Sequence, residues 1–278
     1  MLNRKIEWKN GKKCAAMITI NLDAEYFGKI YYPDMDVSRG ECKALGRASM
    51  KQYLPKVLAA LEEYGVEATF FIPGAVAREY PEEVKDIARR GHEIACHGNY
   101  HENLALLTAD EQRKALSEAK NSLKEISGID PTGFRMPEGE MSRETLSIVK
   151  ELGFIYSSSL SDDDIPYIDN ETGLVEIPIH WVLFDLPYFI FTWDPPIPQG
   201  QARASSMKDV LENWLFELEG AKRFGTLFNL QLDPTTGGEQ GRIYMLETIL
   251  EKITSDKDIW IASGNKIANY CLKTIAKK

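Results

Sequence analysis

The sequence predicts an α/β fold, a single-domain (β/α) barrel of parallel strands that spans residues 1–278. Short apolar segments alternate with amphipathic segments along the whole chain, which is typical of parallel strands joined by crossover helices. No Gly-rich nucleotide-binding loop follows the first apolar segment, and this favours a barrel over an open sheet. No repeat or linker-like stretch divides the chain, and single-domain barrels of about this length are common.

Seven apolar segments are predicted to be buried strands, because each is short and is bounded by polar or turn-forming residues. They lie at residues 14–22, 68–72, 92–96, 132–135, 174–179, 226–232 and 259–263. In such a barrel the active site lies at the carboxyl ends of the strands. The polar residues that directly follow these segments are therefore the candidate functional residues.

Helices are predicted between most of these strands. One begins at Pro81 and ends before Gly91, with acidic residues in its first turn and arginines in its last, as the helix dipole favours. Another begins at Thr108, where Glu111 completes the spacing of a capping box, and ends before Gly128. Further helices are predicted at about 142–152, 206–220, 241–254 and 264–276.

Composition and charge limit the kinds of molecule that this protein is expected to bind and the compartment in which we expect it. The formal net charge of −9 argues against binding nucleic acid through bulk electrostatics. The first residues are charged and polar, without the apolar stretch of a signal peptide, and no window approaches the roughly 20 apolar residues of a membrane span. Four scattered cysteines are predicted to be free thiols, at positions 14, 42, 96 and 271. We therefore expect a cytoplasmic protein, and its oligomeric state, including a homo-oligomer, stays open.

The strongest candidate site combines two strand ends. Asp23 follows the first predicted strand, and His97 and His101 follow the third, four residues apart. Histidines at that spacing face one way, and a carboxylate from another strand completes a two-His, one-carboxylate set with open positions for water and substrate. A His pair alone can also cap or hydrogen-bond backbone, but the placement of these three at strand ends favours metal. The set predicts one divalent metal ion, zinc. His92 is predicted to be structural, and His180 is left open.

Six segments, taken in order, resemble the polysaccharide deacetylase family with its NodB homology fold: residues 22–26, 68–74, 91–103, 133–142, 174–189 and 232–242. The resemblance is greatest to the branch that contains peptidoglycan-deacetylase-like, allantoinase-like and cyclic-imidase-like proteins. It implies a deformed (β/α) barrel and metal ligation by Asp23, His97 and His101. It also implies that Arg135 orients catalytic carboxylates and that the segment from Trp181 to Asp185 forms a pocket wall.

This sequence departs from the family at its proton-transfer positions. Asn21 stands where the branch usually has Asp, Leu22 stands where many members place the catalytic base, and Asp233 stands where a His usually donates a proton to the leaving amine. We expect Asp233 to be the proton donor, since burial or a neighbouring carboxylate can raise a carboxyl pKa. Glu25, Glu138 and Glu140 are further candidates, with Glu25 predicted as catalytic and Glu138 as substrate-binding. For each acid the alternative is a surface charge or a helix cap.

The resemblance implies a hydrolase of carbon–nitrogen bonds other than peptide bonds, acting on an N-acetyl sugar or a related small amide or imide. The aromatic stretch 180–198 is either a core strand with a packed loop or a wall that closes a pocket around a compact substrate. Two alternatives stay open. One is a metal-independent, allantoinase-like ring-opening enzyme, and the other is a catalytically silent protein that binds metal or ligand.

Overall fold

The computed structural model describes residues 6–30, 40–137, 140–189 and 205–275, with the backbone alone described at 28–30 and 40–42. Within these residues, nine strands form one curled sheet. The strands are β1 Cys14–Asn21, β2 Thr69–Ile72, β3 Glu93–Cys96, β4 Gly133–Phe134, β5 Tyr156–Ser157, β6 Tyr167–Ile168, β7 Val175–Glu176, β8 Leu227–Leu232 and β9 Ile259–Ile261.

The sheet is almost entirely parallel. Its strand order is β6-β7-β5-β4-β3-β2-β1-β8, with β9 also paired to β1, and β6–β7 is the one antiparallel pair in the described sheet. The central strand β1 pairs with β2 along its carboxyl half and with β9 along its amino half. Beyond β7, Phe184 forms a parallel β-bridge with Gln231 of β8. This bridge draws the two ends of the curled sheet toward each other. The predicted fold, a deformed barrel of parallel strands with helices, is confirmed.

Helices cover the outside of the curled sheet. They are α1 Gly40–Ala48, α2 Leu54–Glu63, α3 Gly74–Glu79, α4 Pro81–Arg89, α5 Ala109–Ser127, α6 Thr145–Glu151, α7 Leu186–Phe189, α8 Met207–Phe224, α9 Pro234–Gly237, α10 Gln240–Ser255 and α11 Gly264–Thr274. The end signals predicted for α5 are present, since Thr108 and Glu111 form the capping box and Gly128 ends the helix at φ 75°. Side-chain oxygens at the helix start satisfy backbone N–H groups that have no partner within the helix.

Alternation along β1 decides which residues face the barrel interior. The even-numbered positions from Cys14 to Leu22 pack in the large core cluster that the outer helices complete. Ala15 and Met17 belong to a second cluster inside the barrel. Successive strand side chains point to opposite faces, so Thr19 and the odd positions beyond it line the carboxyl end of the interior. That end is polar, whereas the amino end is filled by apolar side chains.

Two strands were not predicted from the sequence. Strands β5 and β6 have two residues each, and an alternating pattern needs about four residues to be recognised. The predicted strand at 174–179 is shorter in the structure, where β7 covers Val175–Glu176. The helices α1 to α3 also lie in segments for which no boundaries were predicted.

Three of the cysteines, Cys14, Cys96 and Cys271, are buried free thiols, as predicted, and the side chain at position 42 lies outside the description. Among the described residues, every helix is too short or too polar to cross a membrane.

Candidate active site

The structure brings together the three residues predicted to bind metal. Asp23 lies just beyond β1, and His97 and His101 lie in the loop after β3. The Asp23 Oδ1 atom lies 3.6 Å from His97 Nε2, and Asp23 Oδ2 lies 3.4 Å from His101 Nε2. One ligand atom from each residue falls within 4.8 Å of the other two, and all three side chains are buried.

The protein holds both histidines in the form that binds metal. The Nδ1 atom of His97 donates to the carbonyl oxygen of Arg135 at 2.8 Å, which leaves Nε2 with its lone pair toward Asp23. Burial lowers the pKa of His97, and it lowers the pKa of His101 to about 3. Both imidazoles are therefore neutral near pH 7. The backbone at His101 and at Ala24, next to Asp23, has positive φ values of 59° and 48°, a strained conformation that is characteristic of functional sites.

These residues fit a divalent cation. Asp23 Oδ1 and His101 Nδ1 are both buried without a hydrogen-bond partner among the described residues. Burial and the nearby Asp233 raise the pKa of Asp23, while Arg135 lowers it. A buried carboxylate with an unpaired oxygen between neutral imidazoles is costly unless a cation balances its charge. One carboxylate and two imidazoles form a common ligand set for zinc.

Arg135 directly follows β4, and its side chain enters the barrel interior, where it donates several hydrogen bonds. Its Nη1 donates to Thr19 Oγ1 at 3.0 Å and to Asn21 Oδ1 at 2.8 Å, while Nε and Nη2 donate to the carbonyl oxygen and hydroxyl of Ser158. Its guanidinium lies 4.1 Å from the centre of the Phe71 ring. Burial lowers the Arg135 pKa to about 9. The sequence predicted that Arg135 orients catalytic carboxylates, yet among the described residues its side-chain partners are neutral oxygens.

Asp233, predicted as the proton donor, is fully buried at the end of β8. Its Oδ1 accepts from the Thr235 N–H at 2.7 Å and from the Thr235 hydroxyl at 2.5 Å, and its Oδ2 has no partner among the described residues. Burial raises the Asp233 pKa to about 6. Two carboxyl groups lie near Asp233, since its charge raises the pKa of both Asp23 and Asp185.

Asp185 was predicted to bind substrate, and the structure places it behind Asp233. It is 1% exposed, and its carboxylate accepts the backbone N–H of Asp233 at 3.0 Å. A Cβ at Gly237 would clash with Asp185 Oδ2, so a larger residue at that position would displace the Asp185 side chain. Trp181, predicted for the same pocket wall, is 51% exposed in a 3-10 turn at Trp181–Leu183.

The structure gives Glu25 partners other than the metal ligands. Glu25 is buried, forms an ion pair with Lys43 and accepts the Tyr80 hydroxyl at 3.0 Å. Glu138 lies outside the described residues, and Glu140 is exposed.

The two remaining histidines differ in their roles. His92 accepts the backbone N–H of Ala68, which confirms its structural role. His180 lies with Nε2 3.4 Å from Asp164 Oδ1, away from the metal ligands.

The structure also distinguishes Asn21 from Leu22, the two adjacent positions at which the sequence departs from the family. Leu22 packs in the outer core cluster, so its side chain points away from the site. Asn21 lies on the interior side, within hydrogen-bonding distance of Arg135. Of these two positions, Asn21 is the one that faces the metal ligands.

Sequence reasoning missed the polar side chains on the interior side of β8. Asn229 donates to Ser158 and to the carbonyl oxygen of Pro178, and Gln231 is buried with an unpaired Nε2. The alternation of Asn229, Gln231 and Asp233 with buried leucines was the available signal, because it indicates a strand with one polar face.

Comparison with known proteins agrees with this geometry. The polysaccharide deacetylase family model matches residues 45–157. A crystal structure from Mycobacterium smegmatis described as a polysaccharide deacetylase is 32% identical, with 96% of this chain and 92% of that chain covered and a TM-score of 0.89. The peptidoglycan deacetylase of Helicobacter pylori is 29% identical over 253 residues, which cover 81% of this chain and 85% of that protein.

The allantoinase PuuE has the same fold, with a TM-score of 0.83, 19% identity and coverage of 96% of this chain and 93% of that chain. The full-length match at 32% identity, together with the family model, identifies the chain. It belongs to the polysaccharide deacetylase family, whose deacetylases are hydrolases of carbon–nitrogen bonds other than peptide bonds.

Proposed function

We propose that this protein is a zinc-dependent hydrolase that deacetylates an N-acetyl sugar or hydrolyses a related small amide or imide. The observation that carries the proposal is the buried set of Asp23, His97 and His101, with a carboxylate oxygen that lacks a partner among the described residues. Asp23, His97 and His101 would hold the ion. A zinc ion there would polarise the amide carbonyl and lower the pKa of a bound water molecule toward about 7.

Within this proposal the chain itself orients the ligands. Arg135 fixes the His97 ring through its carbonyl oxygen, and its guanidinium holds Asn21 and Ser158 around the interior of the site. Ligand histidines that are anchored through the second ring nitrogen keep one tautomer and one ring orientation. Arg135 is thus a positioning residue with two functions, one through its backbone and one through its side chain.

Asp233 is the proposed proton carrier. Its free Oδ2 and its pKa of about 6 allow both protonation states to be populated near neutral pH. During hydrolysis, water adds to the carbonyl carbon, the carbon–nitrogen bond breaks, and Asp233 passes a proton to the leaving nitrogen. The products are a carboxylate and an amine. Asp185 supports this role by accepting the backbone N–H of Asp233.

The proposed substrate is compact and not a long polymer. Trp181 is half-exposed, while Tyr188 donates its hydroxyl to the Val182 carbonyl oxygen, so the described part of the aromatic stretch forms a packed, solvent-facing wall. Residues 190–198 of that stretch lie outside the description. The name of the Helicobacter pylori relative supports an N-acetylated sugar unit as the substrate class.

The test combines metal analysis with turnover. Protein purified without added metal should carry about one equivalent of zinc and should hydrolyse at least one member of a panel of N-acetyl sugars, cyclic imides and small amides. Turnover by metal-free protein supports the ring-opening alternative. Full zinc content without turnover supports the catalytically silent alternative, which the neutral Asn21 side chain favours.

A further inference from the structure

We propose that Asn21 and Gln231 together form a pair of amide donors that bind the carbonyl oxygen of the substrate's acyl group. This inference rests on the proposed function and assigns a binding role to two residues of the barrel interior. Both residues are buried, at 6% and 2% exposure, and both lie beside Asp233 at the polar end of the barrel.

The orientation of Asn21 follows from its partner. A guanidinium group can only donate hydrogen bonds, so Arg135 must face the amide oxygen of Asn21, at 2.8 Å. The amide nitrogen of Asn21 consequently points the other way. None of the described residues accepts a hydrogen bond from it, and its two N–H groups are available to a ligand. An aspartate at this position would place a carboxylate oxygen, which accepts hydrogen bonds, where Asn21 places its N–H donors.

Gln231 is the second amide of the proposed pair. Its Nε2 is buried and has no partner among the described residues, and its side chain makes no other hydrogen bond there. Strand register places Gln231 opposite Thr19, which lies two residues before Asn21 on the same face of β1. Asp233 lies two residues beyond Gln231 on the same face of β8. The register that pairs Ile20 with Leu232 puts Asn21 level with Asp233, so the two amides lie diagonally across the neighbouring strands β1 and β8.

The Gln231 donor is buried without a partner among the described residues, and such a donor is costly to a folded protein unless a ligand or water satisfies it. The two amides are neutral donors, and they lie near the acids Asp23 and Asp233. The ligand that fits such donors is an uncharged hydrogen-bond acceptor whose oxygen gains negative charge during the reaction. The carbonyl oxygen of an amide is such an acceptor. Donors placed in advance at that oxygen stabilise the transition state more than the substrate, and loss of one costs roughly 10²–10³-fold in kcat.

The decisive variant is Asn21→Asp. It keeps the acceptor for Arg135 and removes the donors, so a structural role for Asn21 predicts a folded protein with unchanged turnover. The donor role predicts a drop in kcat of roughly 10²–10³-fold. A variant that turns over as fast as or faster than the wild type shows that this position needs no donor, and it overturns the proposal. Asn121→Asp, at an exposed position of α5, is the control for the added charge.

The second variant, Gln231→Met, adds no charge and breaks no hydrogen bond seen among the described residues. It should unfold no more easily than the wild type. The proposal predicts a loss of at least about tenfold in kcat and, by calorimetry on the zinc-loaded protein, an acetate affinity lower by about 2–12-fold. Unchanged kcat and unchanged acetate affinity overturn the donor pair. If the wild type binds zinc but hydrolyses no amide, the proposed function fails, and the acetate titration still tests the donor pair.

Discussion

Replacing Asp233 with Asn tests whether the buried carboxyl group has the perturbed pKa that its role requires. The substitution keeps the shape of the side chain and the acceptor for Thr235, and it removes the titratable group. Folding raises the pKa of Asp233 from 3.8 to about 6. The two values differ by about 2 pH units, which at 1.36 kcal/mol per unit corresponds to about 3 kcal/mol.

The sign follows from proton linkage. Because the folded protein holds this proton more tightly than the unfolded chain, the ionised carboxylate destabilises the fold above pH 6. This destabilisation disappears as the pH falls from 6 to 3.8. Asp233→Asn should therefore stabilise the metal-free protein by about 3 kcal/mol at pH 7 and by almost nothing near pH 4. The removal of repulsion with Asp23 and Asp185 contributes to the same effect.

The assay is urea denaturation of wild type and Asp233→Asn at pH 7 and pH 4, with metal removed by a chelator. Glu171→Gln, which changes an exposed acid, is the control and should show no difference at either pH. The same Asp233→Asn protein should keep its zinc content and lose roughly 10²–10⁴-fold in turnover. Equal stabilities at pH 7, or a difference of the same size at both pH values, would refute the assignment of a raised pKa to Asp233.

Three further predictions concern the ligands, the substrate and the turn after β8. His97→Ala and His101→Ala should each lose most of the bound zinc by elemental analysis, and wild-type metal content in both would show that the site is elsewhere. Turnover should be highest on compact N-acetylated or imide substrates, so a rate that climbs steadily with the length of chito-oligomers would contradict the packed wall at Trp181. Gly237→Ala should destabilise the protein by about 1–3 kcal/mol in urea denaturation and lower kcat, because the new Cβ displaces Asp185 from Asp233. Unchanged values of both would mean that this contact is not needed.

Several parts of the fold could be predicted because the chain encodes them locally. The strands β1 and β8 are long apolar segments, and α4 and α5 begin and end at residues with recognisable capping chemistry. Strands β5 and β6 have no such local signal, since two residues cannot show a period. They exist because neighbouring strands and the chain returning to β8 supply their hydrogen-bond partners.

The candidate metal ligands were also predictable from the sequence. Asp23, His97 and His101 follow strand ends, and parallel strands bring their carboxyl ends to one edge of the barrel, so the chain order alone placed these side chains near each other. The pattern of residues around them likewise determined the family. For these features, local sequence and the geometry of parallel strands were sufficient.

The tertiary structure alone decided the partners of the buried polar groups. Glu25 follows the same strand end as Asp23, yet it pairs with Lys43. Asp185 lies beneath Asp233 and not at an open wall, and Arg135 meets the amide oxygen of Asn21. Each of these contacts joins residues far apart in the chain, and its geometry depends on strand register and on packing at both ends. A buried polar group takes whichever partner the assembled barrel places within hydrogen-bonding distance, and no local pattern in the sequence specifies that partner.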